Sequence, residues 1–175
     1  MEQINPSNTD NMSGAMSRCK QLAMFIALVS FVLVIVCVSA FTGMLNMMGR
    51  HAFALQSLGS IPVVVLGGIA TYSLLKRTAN AVALAKGFGW ILLATSVFES
   101  YALITEYEAW MLATLRITIA ACAGAMLLSL YKSNFIKGAF PESKRRADAW
   151  AIVTFVLCSV LFFVIPLAAT FFMIF

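Results

Sequence analysis

Only two charged side chains, Glu99 and Arg116, fall inside the long apolar stretches of this sequence. A lone charge at the centre of an apolar helix in lipid costs about 2.5–3.5 kcal/mol on insertion scales, so each requires a reason to be there. Their spacing supplies one. The two stretches flank an acidic turn, Glu106-Tyr107-Glu108, with Glu99 eight residues before Tyr107 and Arg116 nine after it. In an antiparallel helical hairpin both then lie roughly 12–14 Å from the turn, at matching depth. The expected arrangement is a buried, charge-assisted pair facing the interior of a bundle.

Thr95, Ser96 and Ser100 surround Glu99, and together with Thr118 they form the candidate polar lining. Ala120 and Gly124 follow Arg116 at steps of four and offer a small-residue face for close packing. Two readings of the pair stay open. It fixes how two helices mate, or it lines an ion or proton path. Arg116 extending outward to Glu106, Glu108 or lipid headgroups is a further arrangement.

A second cluster, Lys144-Arg145-Arg146, stands just before Trp150. It reads first as a topology anchor, and secondarily as a contact for anionic lipid or an acidic partner. His51 is the sole histidine and has no carboxylate or cysteine beside it, so no metal site is expected there. Cys19, Cys37, Cys122 and Cys158 lack both metal-ligand spacing and a Cys-x-x-Cys motif. They read as small buried hydrophobes. The sequence holds no His-Glu-x-x-His, no Gly-x-Ser-x-Gly and no phosphate-binding lysine loop. Neither an enzyme nor a cofactor is expected. Nucleic acid is not an expected partner either, because the basic residues do not interleave with aromatics along one stripe.

The elements that must hold these residues are set by composition. Hydrophobic residues make up 62% of the 175 positions and charged residues 11%, against roughly 45–50% and about 25% in soluble domains. A soluble core of this size has no place for so much apolar surface, whereas lipid accepts it. The fold class expected is therefore all-α: a polytopic integral membrane protein, a bundle of about five transmembrane helices.

Residues 1–20 read as a flexible polar leader and 21–175 as one transmembrane domain, with spans near 22–45, 52–75, 87–105, 109–131 and 149–175. The first run has 24 residues, about 36 Å of helix against a hydrocarbon core of roughly 30 Å. Pro62 and Pro166 interrupt two spans, where a kink is expected. Gly59, Gly67 and Gly68 leave backbone open to close helix approach. The stretch between Arg77 and Lys86 fits either a short interfacial helix or an extension of the third span. Arg18 and Lys20 ahead of an apolar run ending in Val38-Ser39-Ala40 also fit a cleavable signal peptide. The long leader and the continuation of the run to Leu45 favour a retained helix, and cleavage leaves four spans with the same orientation.

Charge distribution sets that orientation. With the amino terminus in the cytosol, Arg18, Lys20, Lys76, Arg77, Lys86, Lys132, Lys137, Lys144, Arg145 and Arg146 fall inside, and only Arg50 falls outside. So strong a bias predicts amino terminus in and carboxyl terminus out. Trp90, Trp110 and Trp150, near span starts, and Tyr72 and Tyr131, near span ends, suit the headgroup boundary. The expected role is an accessory, scaffold or assembly subunit acting by helix–helix contact in the bilayer, with another membrane protein or further copies of itself as partner. The alternative is a small oligomeric transporter or channel using Glu99 and Arg116. A bacterial inner membrane is the expected location, with a eukaryotic internal membrane as the other reading.

Overall fold

The computed structural model describes residues 6–46, 59–78, 80–105, 110–132 and 144–174. All five elements are α-helices: α1 (Pro6–Asn46), α2 (Ile61–Lys76), α3 (Ala81–Thr105), α4 (Trp110–Lys132) and α5 (Lys144–Ile174). Three carry stretches long and apolar enough to cross a membrane, at Met16–Val38, Ala81–Thr105 and Ala113–Tyr131. Two shorter apolar stretches, Ile61–Lys76 and Ala149–Ile165, accompany them.

Several boundaries differ from those read in the sequence. α1 begins at Pro6, so most of the stretch expected as an irregular leader is helical. Proline suits that first position, where its missing N–H has no helical acceptor to lose. α2 begins only at Ile61, and residues 52–58 of the expected span lie outside the described residues. Pro62 therefore sits in the first turn, where no helical bond is broken, rather than kinking a longer helix. At the other end Arg77 takes a left-handed conformation (φ 53°, ψ 44°), and its N–H and that of Thr78 close on Leu74 and Ser73. That is the usual double-bond closure of a helix C-terminus, here without the usual glycine. The Ala-rich stretch before Lys86 extends α3, as its high helix propensity favours.

Contacts fix the direction of each helix. Cys37 meets Ser60, Ser30 faces Gly67, and Cys19 lies near Arg77, so α1 and α2 are antiparallel. Ser60 meets Glu99 and Gly67 faces Phe88, which makes α3 antiparallel to α2. Trp90 pairs with Tyr131 and Glu99 with Arg116, giving the same relation between α3 and α4. Gly87 faces Ala151 and Thr154 while Phe98 packs on Phe162 and Phe163, so α5 runs parallel to α3. The helices thus alternate in direction along the chain.

α3 is the central post. It packs on α2, α4 and α5, and it is buried on most of its circumference. α1 leans on α2 and scarcely approaches α4. The core runs through Ile26, Leu33, Val63, Ala70, Phe88 and Ile91. The outward faces of α1 and α5 are apolar too, with Leu28, Phe31, Ile152, Val156, Phe163 and Leu167 exposed.

Close approach is confined to some of the glycines. A Cβ on Gly67 would collide with the Ser30 hydroxyl and meet the Phe88 ring at 2.8 Å, whereas Gly68 and Gly124 face open space. The small-residue face after Arg116 is thus used at Ala120, which is buried, and left open at Gly124.

Candidate functional site

Glu99 sits six residues before the end of α3, about 9 Å below that end. Its Oε2 lies 2.5 Å from Arg116 Nη2 on α4, and both side chains are 7% exposed. The antiparallel hairpin brings them level, and a carboxylate beside a guanidinium offsets the desolvation that either charge would suffer alone. Arg116 points inward to this partner rather than snorkelling along its helix. Glu106 and Glu108 lie outside the described residues.

A third element closes the pair from above. Ser60 Oγ donates to Glu99 Oε1 at 3.1 Å. Ser60 occupies the N-cap position of α2, yet makes no side-chain bond to the helix it precedes. Its hydroxyl serves the carboxylate instead. That assignment explains why α2 starts well below the end of α3: its first turn must sit at the depth of Glu99. Cys37, half-buried on α1, comes within hydrogen-bonding reach of Ser60 and close to both charges. Four elements therefore converge on one carboxylate–guanidinium pair.

The expected lining behaves differently. Thr95 Oγ1 donates to the carbonyl of Ile91 at 2.8 Å, and Ser100 Oγ to that of Ser96 at 2.6 Å. Both hydroxyls are consumed by their own helix, the commonest refuge for such groups in an apolar setting. Thr118 likewise donates to Thr114, at 2.9 Å, and is exposed, so it lines nothing shared with Glu99. Ser96 is fully buried, and its hydroxyl has no hydrogen-bond partner among the described residues. α5 begins at Lys144, which places Lys144, Arg145 and Arg146 in its first turn. Their side chains and all of His51 lie outside the described residues.

Ser60 and Cys37 escaped the sequence reading. Ser60 had a usable signal, because Ser60-Ile61-Pro62 is a helix start: a capping residue type followed by proline in the first turn. Cys37 had none, since a thiol in an apolar run looks like any small hydrophobe.

The opposite end of the same hairpin holds a second buried cation. Lys86, read in the sequence as part of a basic connection, lies inside α3 and is only 2% exposed. Its Nζ sits 4.2 Å from the centre of the Tyr131 ring, a cation–π contact. Trp90 Nε1 donates to the Tyr131 hydroxyl at 3.3 Å. Trp90 therefore stands in the third turn of α3, beside the end of α4, not at the start of a span.

Among the described residues no three His, Cys, Asp or Glu side chains gather as metal ligands do. No known family model matches the chain, and no characterised protein or solved structure is detectably similar to it.

Proposed function

We propose that the chain is a multi-pass membrane protein acting without catalysis, as an accessory, scaffold or assembly subunit that works through helix–helix contacts. In this reading the amino terminus and the basic connections face the cytosol, following the bias of basic residues. A bacterial inner membrane is the proposed location, and fractionation of cells expressing the full chain tests it.

One observation carries the functional reading. Glu99 and Arg116 are turned on each other and closed by Ser60, while the large apolar side chains point outward from α1 and α5. A pair that neutralises itself holds helices together and offers little to a passing ion. Outward apolar faces are what lipid or another membrane helix contacts. Affinity purification of the full chain in mild detergent tests this, and a stable stoichiometric membrane partner is the expected result.

A second reading, a small oligomeric transporter or channel, is favoured by Ser96. Its hydroxyl, without a hydrogen-bond partner among the described residues, lies one helical turn from Glu99. Purified protein that dissipates an ion gradient in liposomes, and stops doing so with Glu99→Gln, decides for this reading and against the first.

A further inference from the structure

α1 and α4 diverge at the end of the bundle opposite Glu99, leaving a cleft of about 560 Å³. We propose that this cleft binds one anionic phospholipid, its phosphate held by Arg18 and Gln21 and an acyl chain lying along Phe25 and Met126. The proposal rests on the membrane reading above.

The lining is asymmetric in a way that suits an amphiphile. Arg18, Gln21 and Phe25 lie at helical spacing on one face of α1, and Ala125, Met126 and Ser129 face them from α4. On α1 the polar Arg18 and Gln21 occupy the outer end and the apolar Leu22 and Phe25 the inner stretch, over about 10 Å of helix. No Asp or Glu is among the lining residues, so the only charge in the cleft is the Arg18 guanidinium. Arg18 makes no ion pair among the described residues. A guanidinium donates two parallel hydrogen bonds to a phosphate, and basic clefts between membrane helices suit anionic headgroups. Arg18, Ala125 and Ser129 are exposed, so the cleft opens sideways, where a lipid enters.

The other candidate occupant is a second copy of the chain. Two copies inserted in the same direction would bring together like-charged ends, since Lys20, Lys76 and Arg77 are exposed at the same level as Arg18. Charge therefore favours the lipid.

The test uses the full chain, purified in mild non-ionic detergent, stripped of lipid and titrated with phosphatidylglycerol or phosphatidylcholine. Native mass spectrometry counts the lipid bound. One phosphatidylglycerol per chain is expected, held about fivefold more tightly than phosphatidylcholine, the factor that roughly 1 kcal/mol per basic residue represents. Arg18→Gln should lower phosphatidylglycerol affinity by about that factor and phosphatidylcholine affinity by clearly less, because the choline ammonium already offsets the charge of that phosphate. Ala125→Trp should fill the cleft and abolish binding of both. Lys76→Gln, at the same end but outside the cleft, should change either affinity less than twofold. Equal retention by wild type and Arg18→Gln overturns the proposal, and Arg18→Gln decides it even where Ala125→Trp fails to fold. A lipid-free dimer that Ala125→Trp dissociates overturns it in favour of the second copy. Recovery of the chain in aqueous extract without detergent overturns the membrane reading itself. Failure of lipid binding in a chain that does need detergent overturns the cleft alone.

Discussion

The two sides of α1 are built to opposite rules. Toward α2 the helix buries Ile26, Ser30 and Leu33, presses Ser30 on Gly67, and brings Cys37 to the group around Glu99. Toward α4 it stands off, and the gap is lined by Arg18, Gln21 and Ser129 together with apolar side chains. On the closed side the buried Glu99 carboxylate has its counter-charge, Arg116, within the chain. On the open side a guanidinium waits at the mouth of an apolar cleft. The contrast separates what holds this fold together from what is left for something else to contact, and substitutions on the two sides should differ in size and sign.

The largest effect is expected at the ion pair. Glu99→Gln leaves the Arg116 guanidinium buried against an uncharged amide, and Arg116→Gln leaves the carboxylate. Removing one partner of a buried pair typically costs about 3–5 kcal/mol. Each single variant should show that loss in denaturant unfolding in mild detergent. The double variant should lose at least about 1 kcal/mol less than the sum of the singles, because the second substitution removes the stranded charge. Strict additivity would show that the two residues are not coupled, and the closed side would lose its central support.

Next in size is Gly67→Ala. The added Cβ would collide with the Ser30 hydroxyl, whose bond to the Ile26 carbonyl at 2.8 Å restrains it, and with a Phe88 ring that has no exposed surface. Crowding of this kind in a packed core costs typically 1–3 kcal/mol. Gly89→Ala makes a useful companion. Its new Cβ meets Met126 Cε at 2.7 Å and Leu127 Cδ2 and Cγ at 2.8 and 2.9 Å, a milder overlap than the one with the Ser30 hydroxyl, so it should lose less than Gly67→Ala in the same assay. The reverse order would mean that α4 is held more rigidly against α3 than α1 is against α2.

Ser60→Ala should cost about 1.5–2 kcal/mol, the lower part of the roughly 1.5–3 kcal/mol typical of a hydrogen bond to a charged group. Because Ser60 does not cap α2 through its side chain, the loss should be carried mainly by Glu99, with Cys37 as the lesser partner. Made in a Glu99→Gln background, Ser60→Ala should therefore lose clearly less. An undiminished loss there would show that the hydroxyl acts on α2 or Cys37 and not on the carboxylate.

How far these sites were legible in the sequence follows from the range of the interactions. Glu99 and Arg116 belong to consecutive helices, so counting residues from Tyr107 was enough to set them level. Ser60 reaches Glu99 across 39 residues of chain, and no local period records such a contact. Lys86 misled for a different reason. A lysine between apolar runs looks like a loop residue until the ring of Tyr131 is known to cover it. Thr95, Ser100 and Thr118 were drawn toward Glu99 by type alone, but the carbonyl one turn back is nearer than any carboxylate. The cleft was not legible at all, because divergence of α1 from α4 depends on how each packs against a third helix.

The smallest effect, and the one of opposite sign, is expected on the open side. Gly124 stands between Cys122 and Ala125, which line the cleft, and a Cβ there meets nothing within 4 Å. Glycine inside a helix is less favourable than alanine by about 0.8–1.0 kcal/mol, so Gly124→Ala should raise stability by up to that amount. The same small-residue face that suggested close packing next to Arg116 is then revealed as slack further along α4. A loss of stability would mean that the space beside Gly124 is filled in the folded protein. If that loss came with a shift from dimer to monomer in size-exclusion chromatography coupled to light scattering, the filler would be a second copy. The open side would then be a closed interface, and the difference between the two faces of α1 would be one of partner rather than of packing.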